Sequence, residues 1–575
     1  MQTATVDTVF IEQVAGAADR HVAEFLATRD DDVPALAHRP AMAMLLDLVT
    51  VYTAPGSGFH RQEHLRGAMD RCLDRLEALQ GPTGLFDGTN LCSPPDSAFT
   101  LNDVCLALRL IRGLAAPDPV LDPVDRRLAA IVDRSADAMV AGGVHTPNHR
   151  WELCAALAQM NMLQPRQDIL DRMEQWLAEG IDQLADGMYS ERSPLYATAV
   201  TNPSLLTIAD AAGRHELLDH VRRNLTAFLP WFNADGTVES VFSRRQDQWM
   251  SFGAAPFLHG YRRLAVQDGR GDFAAAATWL GTLPLHEPAK LLALTRLDPW
   301  LGMALPAVPP PDGAASLPLP LVPADAALES CGAYRFRRGG AVATVFGGCD
   351  PLEPGVGSGL ATNPTFLRFR HGSAELSHVR LSRSFFDLGP FRSQHTVRHG
   401  SSVVLSEELT ANFYQPLPAG KLRADGIYPL EHEGRFSAGM EFSARPKDVH
   451  RLATQMTVEA GEGEIGLDIG FQGTRTAFAL ELTFAPGGEL GGVQPGAVPG
   501  TFQLVSGTGT YSVDGDVIEF GPGLAADADA PAAYNPGESY RYLAGTNASA
   551  GLKVYIAGWT EGSQQFTFRG YTRPE

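Results

Sequence analysis

Thr146-Pro-Asn-His-Arg-Trp-Glu152 is the stretch of this 575-residue chain whose residue types are best suited to chemistry. Thr146 fits a helix N-cap and Pro147 the first helical position, so Asn148, His149 and Arg150 fall in the first turn. Unpaired backbone N–H groups and the positive end of the helix dipole favour an anion there. An amide, an imidazole and a guanidinium added at that point make a corner for a carboxylate. The plainer reading is a capped helix whose His149 bonds a neighbouring loop.

A second group is Asp186-Gly-Met-Tyr-Ser-Glu-Arg-Ser-Pro-Leu-Tyr196, followed by Thr201-Asn-Pro. Burying Tyr189, Glu191, Arg192 and Tyr196 without partners is costly, whereas facing a wet cleft is not. A cation beside a phenol favours the phenolate, so this loop is a candidate source of a basic tyrosine. A solvated helix–helix loop is the alternative. A third group is the run from Phe366 to Arg383. Strict alternation puts His378 and Arg380 on one strand face with Leu376, and Arg368 with Arg370 on a face of their own. The expectation is a basic wall; the alternative is a solvated sheet face.

Weaker features complete the set. Arg244, Arg245 and Trp249 offer cationic contacts and a ring on which a sugar can stack. His395 and His399 share a strand face, but two histidines without a carboxylate or thiolate make a poor metal site. A structural divalent ion in the second half would have to draw its remaining ligands from elsewhere in the chain. No dinucleotide fingerprint, phosphate loop, zinc-protease helix or nucleophile elbow occurs in a fitting context.

The elements that must position these residues change character near residue 305. Before it, apolar residues recur at helical spacing, as in Leu101, Val104, Leu108 and Ile111. Stripes of this kind cover about 10–28, 39–54, 60–79, 123–140, 149–161, 167–185, 200–211, 215–230, 245–265 and 270–281, separated by breakers such as 81–88, 141–148 and 232–236. Short loops between roughly a dozen helices imply antiparallel hairpins, which in pairs close an α/α toroid. No repeat of fixed period supports an open solenoid. The stretch 305–325 is punctuated by prolines and reads as an extended linker. Beyond it the period becomes two, in runs bounded by Gly, Pro, Asn or Asp, which specifies an antiparallel β-sandwich. The expected organisation is a toroid over 1–304, a linker over 305–325 and a sandwich over 326–575.

Composition limits the partners. Hydrophobic residues make up 44% and charged ones 19% of the chain, the profile of an ordinary folded protein. A formal charge of −20 argues against nucleic acid or an anionic membrane as the main partner. No run of 18 apolar residues appears, so no membrane span is expected. The N-terminus reads as an amphipathic helix and not as a secretion signal, which points to the cytoplasm. Six scattered cysteines without a CxxC pair read as free thiols. Homo-oligomerisation is compatible with all of this.

A helical half with an Asn-His step, a Tyr-containing loop about 40 residues on and a His early in the β half resembles the polysaccharide lyases of the heparinase II/III and oligo-alginate lyase type. That resemblance implies an α/α toroid joined to an antiparallel β-sandwich with the cleft between them. The family's Asn/His pair falls on Asn148 and His149, its catalytic Tyr on Tyr189 or Tyr196, and its β-domain His on His378. One departure stands out. The Asp of the family's segment is missing, because His378 is followed by Val379 and Arg380.

The implied reaction is β-elimination on a uronate-containing oligosaccharide or polysaccharide. A base removes the hydrogen next to the carboxylate, and donors stabilise the charge that develops on that carboxylate. Asn148 and His149 suit the second task, and Tyr189 or His378 the first. Arg150, Glu191, Arg192, Tyr196, Arg244, Trp249 and Arg380 are the expected substrate contacts. No cofactor is required. Imported fragments cleaved from one end, an exo mode, fit a cytoplasmic location. The rival is a hydrolase of the β-glucuronidase type on the same toroid, which needs two carboxyls. Glu152, Glu191, Asp186 and Asp87 are available. A non-catalytic carbohydrate-binding protein is the third class.

Overall fold

The computed structural model describes residues 5–28, 30–88, 91–249, 252–307, 323–350, 363–434, 436–525 and 549–574. They gather into two compact units, one of Met1–Glu239 with Ser251–Val322 and one of Ser240–Met250 with Pro323–Glu575. Most of the proline-rich stretch expected as a linker, residues 308–322, lies outside the described residues.

The first unit is helical: α1 (Thr8–Thr28), α2 (His38–Thr53), α3 (Arg66–Leu79), α4 (Pro94–Arg112), α5 (Asp122–Ala141), α6 (Pro147–Leu163), α7 (Gln167–Leu177), the single turn α8 (Pro194–Tyr196), α9 (Asn202–Ala211), α10 (Leu218–Phe228), α11 (Leu258–Asp268), α12 (Gly271–Leu280) and α13 (Pro288–Leu297). Two kinds of helix alternate. In α7 only Ile169 and Met173 are buried, so it presents one apolar stripe inward and water to the rest. In α6 every residue from Trp151 to Met160 is buried, which a helix tolerates only inside a ring of others. By the same criterion α2 and α4 are inner helices. α13 packs back on α1 and α2 and completes the toroid.

The inner helices run parallel. Asn102 of α4 donates to Glu152 of α6 at 2.7 Å, and seven residues further along both helices Arg109 reaches Gln159 at 3.5 Å. At the starting ends, His38 of α2 meets Thr100 and Asp96 of α4. At the finishing ends, Arg263 of α11 bridges Asp210 of α9 and Asp298 just past α13. The positive dipole ends of α2, α4 and α6 therefore gather at one side of the toroid.

Several helical boundaries differ from expectation. The stripe at 167–185 stops at Leu177, where Gly180 takes a left-handed conformation. The stripe at 245–265 becomes a short turn at Gln246–Trp249 and then α11 from Leu258, with Pro256 between them. α13 has no counterpart among the apolar stripes.

The second unit is a two-sheet sandwich with strands β1 (Asp325–Leu328), β2 (Ala333–Arg338), β3 (Ala341–Phe346), β4 (Leu367–His371), β5 (Ala374–Arg383), β6 (His395–His399), β7 (Ser402–Tyr414), β8 (Lys447–Ala460), β9 (Glu464–Gly473), β10 (Ala477–Phe484), β11 (Glu489–Gly491), β12 (Gln494–Pro495), β13 (Thr501–Gln503), β14 (Ser506–Val513), β15 (Asp516–Leu524), β16 (Leu552–Trp559) and β17 (Gly562–Thr572). One sheet has the order β12-β13-β16-β10-β5-β4-β3-β2-β1, the other β6-β7-β8-β9-β17-β15-β14-β11. Pairing is antiparallel except between β13 and β16. Phe336, Val345, Phe369, Leu376 and Leu381 of one sheet meet Leu405, Met456, Leu467, Ile469 and Phe568 of the other in the core.

Candidate active site

α6 begins as its sequence dictates. Thr146 is extended at the N-cap position and Pro147 opens the first turn, but the Thr146 hydroxyl caps nothing; it donates to Asn148 Oδ1 at 3.3 Å. Asn148 is buried, and its Nδ2 donates to Glu191 Oε2 at 2.5 Å. A carboxylate only accepts, so this bond fixes which end of the amide is nitrogen. One N–H of Asn148 is thereby spent on Glu191. The half-buried His149 ring stands edge-on to Phe99 of α4, centroids 6.2 Å apart, and edge-on to His145 at 4.8 Å.

Glu191 comes from the loop between α7 and α8. Gly187 there has φ +95°, and a Cβ in its place would lie 2.6 Å from the Arg223 carbonyl oxygen, so the tight approach to α10 requires glycine. Arg192 follows with φ +53°, an uncommon conformation for a side-chain-bearing residue. Ser193 Oγ accepts from the Tyr196 N–H at 3.1 Å and starts α8. A π-helical segment, Ala197–Thr201, then leads into α9, and such segments recur at functional sites.

The two tyrosines of this loop differ sharply. Tyr189 is buried; its hydroxyl donates to Asn202 Oδ1 at 2.7 Å, Asn202 donates on to Asn224, and Asn224 to the Gly187 carbonyl. Burial, reinforced by Asp182 and only partly opposed by Arg223, holds its phenol well above the usual range. The expectation that a nearby cation eases its deprotonation is thus corrected: desolvation is the larger effect. Tyr196 is half-buried at the end of α8, five residues from the Glu191 that grips Asn148.

Arg150 points elsewhere. It pairs with Glu179 at 2.8 Å and Asp182 at 3.2 Å and stacks on Trp151, so it braces α6 against the following loop. Inside the toroid lies a cavity of about 550 Å³, lined at its starting end by Arg39, Phe99 and Leu195 and deeper by Asn102, Asp103, Glu152, Ser204 and Lys290. Burial holds the Glu152 carboxyl above the ordinary range despite the bonds from Asn102 and Ser204, and burial does the same to Asp103 despite Lys290. Arg39 and this cavity carry no sequence signal: Arg39 stands more than a hundred residues before Asn148 in an ordinary helix start.

In the second unit a β-bulge changes the expected face. Phe484 pairs with Leu376 but its neighbour Thr483 pairs with His378, leaving Ser377 over. Leu376 therefore joins the core, while His378 and Arg380 turn to the opposite face. His378 is buried, with Nδ1 2.8 Å from Thr365 Oγ1. Burial, with Arg368, Arg380 and Lys553 nearby, pushes its imidazolium well below the usual range, so it is neutral at neutral pH. The cations do gather here, but Arg380 forms a buried ion pair with Glu481, which also accepts from Tyr555. Arg244 pairs with Asp350 at 2.6 Å. The Trp249 side chain lies outside the described residues. His395 and His399 are exposed on the edge strand β6. Among the described residues no three metal-ligating side chains gather, and all six cysteines are free thiols. None of the described helices is long and apolar enough to cross a membrane.

No protein-family model and no curated protein matches the chain in sequence. Solved structures are similar in fold. Heparinase III aligns at a TM-score of 0.56 and 10% identity over 93% of this chain and 76% of that one. A variant of the chondroitin AC lyase of Streptomyces coelicolor A3 aligns at 0.51 and 12% identity, over 97% and 79%. A xanthan lyase of Paenibacillus aligns at 0.51 and 12% identity over 99% of this chain but 57% of its own. The resemblance to polysaccharide lyases holds for the fold: an α/α toroid followed by an antiparallel-rich β unit.

Proposed function

We propose that the chain is a polysaccharide lyase that cleaves a uronate-containing saccharide by β-elimination. The observation that carries this reading is the Asn148 amide, held by Glu191 at the first turn of α6, next to the loop that ends in Tyr196. The lyases named above share the fold, which raises the prior without assigning a reaction.

In this scheme Asn148 and His149, at the dipole ends of α6 and its neighbours, receive the uronate carboxylate. A base takes the hydrogen from the adjacent carbon, its bonding electrons form the new double bond, and the glycosidic C–O bond breaks. The departing oxygen receives a proton. Donors that strengthen as charge builds on the carboxylate lower the barrier. Tyr196 is the phenol assigned to proton transfer, since Tyr189 is locked in a buried network. Exo action belongs to the same proposal and predicts small products from the first turnover. Incubation with oligouronates, followed by ultraviolet absorbance of the unsaturated product, tests the reaction. Replacement of His378 by Gln in the same assay decides whether its imidazole takes part.

Hydrolysis is the second reading, favoured by one observation. Asp103 and Glu152 line the toroid cavity with both carboxyls raised by burial, a setting suited to a general acid. It predicts reducing ends without unsaturated product.

A further inference from the structure

Arg39 opens α2 beside the proposed carboxylate corner. Its guanidinium lies over the Phe99 ring, 3.8 Å from the centroid, and Phe99 in turn meets the edge of His149. One edge of the guanidinium pairs with Asp96. Burial works against the Asp96 anion, yet the His38 hydrogen bond and Arg39 hold its carboxyl below the ordinary range. Asp96 is itself fixed, because its backbone N–H donates to the N-cap Ser93.

An arginine has five N–H donors in a rigid fork. Among the described residues Asp96 is the one carboxylate that Arg39 meets, so the opposite edge of the fork retains its donors. The side chain is 43% exposed and lines the starting end of the cavity, so that edge is open to a ligand. Stacking on Phe99 and anchoring by Asp96 reduce the side-chain entropy a ligand would otherwise have to freeze. Glu287, which also lines the cavity, stands 3.9 Å from His286.

We propose that Arg39, seated on Phe99 and held by Asp96, binds an acid group on the sugar adjoining the uronate gripped by Asn148 and His149. The chain would then select saccharides with acid groups on consecutive residues, whether carboxylate or sulfate. This rests on the acidic-saccharide reading above but not on elimination, because binding can be measured without turnover.

The test uses the full chain with Tyr196→Phe, which keeps the sugar intact, and compares it with the same chain carrying Arg39→Gln or Arg39→Lys. Calorimetry measures binding of three hexasaccharides: a homouronate, a sulfated heparan type, and a hyaluronan type whose uronates alternate with neutral amino sugars. Arg39→Gln is expected to weaken the first two about tenfold or more and the third less than twofold. Arg39→Lys should fall between, since it keeps the charge and loses the fork. A homouronate effect alone identifies carboxylate as the group bound, and a sulfated-oligosaccharide effect alone identifies sulfate. Equal losses on all three probes at a lowered melting temperature, or no loss on any, would overturn the proposal. Failure of the Tyr196→Phe parent to bind any probe overturns it together with the acidic-saccharide reading, whereas elimination is judged separately from the unsaturated product of the wild-type chain.

Discussion

Asn148 Nδ2 donates to Glu191 Oε2 across 2.5 Å, linking the first turn of α6 to the loop that ends in Tyr196. Forty-three residues separate the two along the chain, and the toroid brings them together. The bond spends one amide proton and fixes the rotamer. An amide held this way needs no reorganisation as charge develops, the condition under which a donor contributes most to catalysis.

Loss of that donor should be expensive. Asn148→Ala is expected to lower kcat by about a hundredfold or more while KM changes little, because the bond strengthens mainly in the transition state. Glu191→Gln should lower kcat by a smaller factor, since a glutamine can bond the amide in either sense and no longer fixes its orientation. Steady-state kinetics on one oligouronate checks both, and a change confined to KM contradicts the assignment.

The two loop tyrosines should separate in mutagenesis. Tyr196→Phe is expected to cost about a hundredfold or more in turnover with the melting temperature preserved. Tyr189→Phe should do the reverse. It leaves the Asn202 acceptor short of a donor in a buried network, at about 1–3 kcal/mol of stability, and spares turnover. Activity loss in Tyr189→Phe without destabilisation would reverse the roles.

Arg380 is held in a buried ion pair with Glu481. Arg380→Ala strands the buried Glu481 carboxylate and should destabilise the β unit by about 3–5 kcal/mol. Replacing both residues, with Arg380→Met and Glu481→Leu, should recover much of that loss. Thermal or denaturant unfolding of the single and double variants is the check, and additive losses would show that the pair does not act as a unit.

Asp47 supplies a pH signature. Burial raises its carboxyl from 3.8 to about 6, against the opposing His21 contact at 3.2 Å. The folded value exceeds the unfolded one, so this stability contribution is complete below about 3.8 and is lost as pH rises through about 6. The difference amounts to roughly 2 to 3 kcal/mol. Compared with wild type, Asp47→Asn should show a flatter decline in melting temperature between those pH values. Parallel curves would contradict the assignment.

Much of the architecture was readable from period alone. The apolar stripes located most of the helices, and the change to period two announced the sandwich; the all-round burial of α6, which takes in Glu152 and Gln159, is set by the ring around it. Side-chain direction on β5 was not readable, because the bulge at Ser377 reverses the alternation and needs its partner strand β10 to be seen. Asn148 and Glu191 were visible as candidates, but their bond depends on how α6 packs against the loop. Tyr189 and Tyr196 look equivalent in sequence; only burial distinguishes them. Arg39 was invisible because its role comes from Phe99 and Asp96 on another helix.

The central claim is that an acid-binding corner at α6 promotes elimination. Its most direct test follows ultraviolet absorbance and reducing ends together while the wild-type chain acts on an oligouronate. Elimination predicts one conjugated double bond for each glycosidic bond broken, and both signals should vanish together in Tyr196→Phe. Reducing ends that accumulate without the absorbance would contradict it and assign the chemistry to hydrolysis.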